Sequence, residues 1–97
     1  MSPAEIARAM GEYIRKKGFS PELGLGCKCG CFMRAYCVLT VGPDGAHQMF
    51  TGSPVHLALR DVIGCGYHEY ELERHGWTRG CTDDAAAACD IAADLLS

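Results

Sequence analysis

The chain has 97 residues, 48% apolar and 22% charged, a length and balance from which a single domain with one core is expected, rather than two domains, a disordered chain or a fibrous one. The formal net charge is −3, divided unevenly: residues 1–50 carry 6 Lys/Arg against 4 Asp/Glu, and residues 51–97 carry 3 against 8. An acidic total with no basic stripe among aromatics lacks the electrostatic term behind most nucleic-acid affinity, so no nucleic-acid partner is expected.

The opening Met1-Ser2-Pro3-Ala4-Glu5 has no basic leader or apolar run, and no stretch has the length of a membrane span. A cytoplasmic location without a membrane partner is therefore expected. Ser2 is placed to cap a helix, Pro3 suits its first position and Glu5 completes a capping box. Ile6, Met10, Tyr13 and Ile14 then repeat at helical spacing as the apolar face, with Arg8 and Glu12 expected to pair on the other face. Arg15-Lys16-Lys17 sits where the helix dipole favours cations, and Gly18 stops the helix.

Residues 19–26 read as an ordered loop whose apolar members fold back on the core. The segment Cys27-Lys28-Cys29-Gly30-Cys31 leads into an apolar run. Phe32, Ala35, Tyr36 and Leu39 suit a helix, while the run 36–41, the turn residues 42–45 and the stretch 46–51 suit a β-hairpin. The helix is the preferred reading and the hairpin at 36–51 the alternative. Ser53-Pro54 opens a helix through Ile63, closed by Gly64, with Val55, Ala58, Leu59 and Val62 on its buried face and Leu57 pointing away. Tyr67 to His75 reads as a short surface helix ended by Gly76, after which Trp77 returns the chain to the core.

Thr82 is expected to cap a last helix, its hydroxyl accepting from a first-turn N–H, with Asp83 and Asp84 at the positive end of the dipole. Ala85, Ala88, Cys89, Ile91, Ala92, Leu95 and Leu96 form its apolar face, and the four alanines Ala85 to Ala88 let a neighbouring helix approach closely. The fold expected is mainly α, one compact bundle of about four helices.

Seven cysteines in a reducing compartment read mainly as buried apolar side chains, so no cofactor is expected. The alternative is a zinc or redox set: Cys27, Cys29 and Cys31 can converge on one soft ion, with Cys65 and His68 as a second pair, although zinc knuckles use longer spacings. His68, Glu71 and His75 share one helix face, but Leu72 stands where a zincin helix needs its second histidine. Cys81, at the start of the last helix and near His75, resembles half of a nucleophilic pair; without an orienting group or oxyanion loop, a thiol enzyme is a second alternative and no enzymatic activity is expected.

Three motifs carry a resemblance: Gly18-Phe19 closing the first helix, Cys29-Gly30-Cys31 entering the small apolar stretch to Ala35, and Trp77 followed by the helix from Thr82 to Leu96. Their order is similar to that in a small family of uncharacterised actinobacterial and actinobacteriophage proteins, a domain of unknown function. The resemblance implies a mostly helical fold and a prokaryotic or phage origin. That family usually carries Asn directly after its Trp, where this chain has Thr78 and Arg79, and it brings no catalytic residue across.

The leading expectation is an accessory protein that binds and modulates a host protein, with self-association left open. Leu57, Asp90 and Asp94 are its candidate interaction residues. Asp90 and Asp94 lie four apart, where like charges repel, and Asp94 falls in the last turn, where the dipole disfavours anions. Two accounts stand: a tolerated surface placement, which is preferred, or a nearby cation, either on a basic partner or in Arg15-Lys16-Lys17. Only parallel packing of the first and last helices is expected to bring that basic triplet close.

Overall fold

A computed structural model describes residues 2–20, 32–40, 50, 52–64 and 74–97, all but the side chain of Arg79. Helix α1 (Pro3–Lys17) opens on the expected capping box: the Glu5 N–H donates to Ser2 Oγ at 3.2 Å, and the Ser2 N–H donates to Glu5 Oε1 at 3.3 Å. The Ser2 backbone and then its hydroxyl hold the Glu5 carboxyl below the usual carboxylate range. Gly18, at φ 82°, turns the chain out of the helix while its N–H closes on the Ile14 carbonyl at 2.8 Å, a conformation a side chain would strain.

Helix α2 runs Phe32–Thr40, α3 Pro54–Ile63 and α4 Thr82–Leu96, with a 3-10 turn at Arg79–Cys81 leading into α4. In α3 the His56 N–H donates to Ser53 Oγ at 3.2 Å, Pro54 takes the first position, and Gly64 ends the helix in the left-handed region. Residues 36–40 are helical, so the hairpin at 36–51 loses its first strand, and no β-strand occurs among the described residues. Most of the helix expected over Tyr67–His75 lies outside the described residues; Arg74 is helical, and His75 and Gly76 form a turn, with Gly76 at φ 85°.

Among the described elements, helices α1 and α4 share the most extensive contact. The buried line of α1 is Ala7, Met10, Gly11 and Ile14, with Ile6 and Tyr13 only partly covered at its edges. The face is thus rotated from the expected Ile6, Met10, Tyr13, Ile14 stripe, because small residues let the helix backbones meet. A β-carbon on Gly11 would stand 3.1 Å from the Ala86 carbonyl oxygen, 3.0 Å from Asp90 Oδ1 and 3.5 Å from Cys89 Cβ. At that point α1 contributes no side chain, and a backbone carbonyl of α4 is among its nearest neighbours.

The packing is antiparallel. At one end the Phe19 N–H donates to Thr82 Oγ1 at 3.0 Å; at the other, Arg8 Nη2 meets Asp94 Oδ1 at 3.2 Å. Between them Arg15 Nη2 donates to Asp90 Oδ2 at 2.7 Å, which holds the guanidinium above its ordinary pKa. Three expectations are corrected here. Arg8 pairs with Asp94 rather than Glu12. Antiparallel packing does bring Arg15 to Asp90, because Asp90 lies mid-helix opposite Gly11, and an arginine one turn away spans the difference along the seam. Thr82 is the first helical residue rather than the N-cap, and its hydroxyl serves Phe19 across 63 positions of chain.

Around this seam α2 packs on α1, and α3 on α4. Phe19, Phe32 and Trp77 contact one another with centroids 5.0, 5.8 and 5.9 Å apart, and in a second group Phe50 contacts Tyr36 and His56, each at 5.2 Å. Val55, Ala58 and Leu59 are buried as expected, Val62 is partly covered, and Leu57 points outward. The return of Phe19 and Trp77 to the core agrees with the sequence.

The seam has a direct test. Leucine is a strong helix former, so Gly11→Leu isolates the steric effect from helix propensity. Chemical denaturation should show a loss of about 1–3 kcal/mol, the usual scale for overpacking. A variant as stable as the parent would mean that the two backbones do not meet at Gly11.

Candidate functional site

The 3-10 turn before α4 is built by Thr78. Its hydroxyl accepts from the Gly80 N–H at 3.2 Å, its carbonyl accepts from the Cys81 N–H at 3.0 Å, and its own N–H reaches Cys81 Sγ at 3.5 Å. Cys81 donates from its thiol to the Gly76 carbonyl at 3.6 Å, and the Thr78 hydroxyl lies 3.7 Å from the same sulfur. Because the turn passes directly into α4, Cys81 occupies the N-cap position without a side-chain capping bond.

Beside it lies an open cleft of about 280 Å3, lined by His75, Gly76, Trp77, Cys81 and Asp84. The edge contacts of Trp77 with Phe19 and Phe32 anchor the aromatic wall, leaving the indole half-buried. His75 is exposed and makes no hydrogen bond to Cys81 or Asp84. The Cys81 thiol is instead engaged with Gly76 and Thr78.

The cleft reaches α4 at Asp84. Asp84, Ala87, Ile91 and Leu95 follow one another at spacings of three, four and four, which places them along one side of a helix. Ile91 is 51% exposed and Leu95 61%. Both were expected on the buried face, and this is corrected: the buried side of α4 is Ala85, Ala86, Ala88, Cys89, Ala92 and Ala93. The available signal was Asp84, a carboxylate on the same line as Ile91 and Leu95.

The candidate interaction residues fall on different elements. Leu57 is 51% exposed on the solvent side of α3, while Asp90 and Asp94 carry the ion pairs with Arg15 and Arg8. Such partly exposed pairs contribute little to stability. Cys27, Cys29, Cys31, Cys65 and His68, the candidate zinc set, lie outside the described residues, as does Glu71. Among the described residues no three His, Cys, Asp or Glu side chains converge on one point, and no helix is long and apolar enough to cross a membrane. Comparison with family models, with curated proteins and with solved structures found no match.

Cys37 and Cys89 are core side chains, in keeping with the apolar reading of those two cysteines. Burial raises both thiols; in Cys89 it is the largest cause, ahead of Asp90, and the pKa is pushed up to about 12. The folded state therefore keeps the Cys89 proton through a range in which an unfolded thiol loses it. Between the ordinary thiol value of 9.0 and about 12 the unfolded chain binds fewer protons, so stability falls as pH rises. Cys89→Ala should flatten the decline in stability measured by denaturation between those limits. An identical slope in parent and variant would contradict the burial of this thiol.

Proposed function

We propose that this chain is a small cytosolic interaction module, an accessory protein that acts by binding and modulating another protein. The observation that carries the proposal is the outward placement of Ile91 and Leu95, two large apolar side chains one turn apart on a helix that buries alanines. Water is an unfavourable neighbour for both, and a partner surface that covers them gains the hydrophobic free energy that the fold leaves unused. The resemblance carried by Gly18-Phe19, Cys29 to Ala35 and Trp77 with the last helix supports a prokaryotic or phage setting.

The surroundings of Cys81 support a structural role over catalysis. A nucleophilic thiol needs a base within hydrogen-bond reach, and Cys81 has instead the Gly76 carbonyl and the Thr78 backbone as its neighbours. Its contacts tie the 3-10 turn to the residues before it and so place Trp77 and Asp84 beside one another.

Chemical cross-linking of the tagged chain in its source cells separates the proposal from a thiol enzyme. A protein partner should be recovered in near-stoichiometric amount, and equally well with Cys81→Ala. Recovery of the uncross-linked chain alone, or loss of the partner with Cys81→Ala, would contradict the proposal.

A further inference from the structure

We infer that the outer face of α4, together with the adjoining cleft, is a docking groove for a basic amphipathic helix of the partner protein. Two apolar side chains of that helix cover Ile91 and Leu95, and a lysine or arginine two turns away enters the cleft between Trp77 and Asp84. This rests on the interaction-module reading above and specifies the chemistry of the partner.

Shape gives the length of the match. From Asp84 to Leu95 the rise is about 16 Å at 1.5 Å per residue, three turns of helix. The apolar part is confined to the C-terminal half of that line, where Ile91 and Leu95 lie in the i, i+4 relation that a helical ligand answers with anchors one turn apart. Ala87, exposed and small, leaves room between the apolar pair and the cleft. A helix laid along α4 therefore meets two bulky residues, then a shallow step, then a cavity.

Charge decides what enters the cavity. Helix α4 contains four aspartates and no lysine or arginine. Asp90 and Asp94 are engaged by Arg15 and Arg8, whereas Asp84, on the groove line itself, has no ion-pair partner among the described residues. The cleft sets this exposed carboxylate against the half-buried indole of Trp77. A carboxylate beside an aromatic wall suits a guanidinium or ammonium group, through a charge-assisted hydrogen bond and a cation–π contact. About 280 Å3 admits one long side chain. The same acidity disfavours nucleic acid and anionic lipid, and a second copy docking in parallel through the same face would set Asp84 against Asp84.

The probe is a synthetic peptide of about twelve residues, long enough for three turns, stabilised as a helix. It has leucines one turn apart and a lysine two turns from the nearer leucine. A scrambled peptide of identical composition is the control. The patterned peptide should bind about tenfold more tightly than the control. It should also shift amide signals of α4 from Asp84 to Leu95 and change the fluorescence of Trp77, the single tryptophan. The Ile91→Ser, Leu95→Ser double variant should lose about tenfold in affinity with an unchanged melting temperature. Asp84→Asn should weaken binding severalfold and reduce its dependence on salt.

Equal affinity for the two peptides, or unchanged binding by the double variant, would overturn the groove assignment. So would a dimer in solution that the double variant disperses, since the face would then belong to a second copy. A partner that is captured by cross-linking and still bound by the double variant refutes this groove while leaving the interaction-module proposal standing. Absence of any captured partner refutes the module proposal instead.

Discussion

The close approach of α1 and α4 at Gly11 is the contact on which the other features depend. With the Ala86 carbonyl oxygen 3.1 Å from where a Gly11 β-carbon would be, neither helix can rotate without driving a side chain into the other's backbone. The register that follows is antiparallel and carries three ties along its length: Phe19 to Thr82, Arg15 to Asp90, and Arg8 to Asp94. The first also sets Phe19 against Phe32 and Trp77, so the aromatic cluster and the cleft beside it inherit their position from the helix seam.

A seam of small residues has a second consequence. A helix pressed close to its neighbours buries its alanines, and α4, packed on α1 and α3, buries six small side chains, Ala85, Ala86, Ala88, Cys89, Ala92 and Ala93. Ile91 and Leu95 are displaced to the solvent side although they are its largest aliphatic side chains, apart from the partly covered Leu96. Close backbone packing recovers dispersion energy from many small contacts, which offsets part of the apolar area left in water. The constraint that organises the core thus also produces the exposed apolar line beside the cleft.

The features visible in the sequence were those decided locally. Ser2, Pro3, Glu5 and Gly18 delimit α1, and Ser53, Pro54 and Gly64 delimit α3, because capping bonds join residues three or four apart and need nothing from the rest of the chain. Features that depend on a neighbour were harder to see. The stripe assigned to α1 followed the larger residues Ile6 and Tyr13 and missed Ala7 and Gly11, whose contribution is the space they leave. Thr82 has the chemistry of a cap, yet only the antiparallel register reveals Phe19 as its donor. Apolar residues surround most of α4, so composition alone did not separate its buried alanines from Ile91 and Leu95. The cleft joins Trp77 and Asp84 through a turn tied by Thr78 and Cys81, a geometry with no motif to announce it.

Native-state hydrogen exchange followed by NMR tests most directly whether α1 and α4 form one cooperative unit. The amides of Met10 and Ile14 in α1, and of Cys89 and Ala92 in α4, should be the slowest to exchange. Their opening free energies should agree with one another and with global unfolding. Slow exchange in one helix with fast exchange in the other would show that each is held by something other than their mutual contact, and would contradict the account.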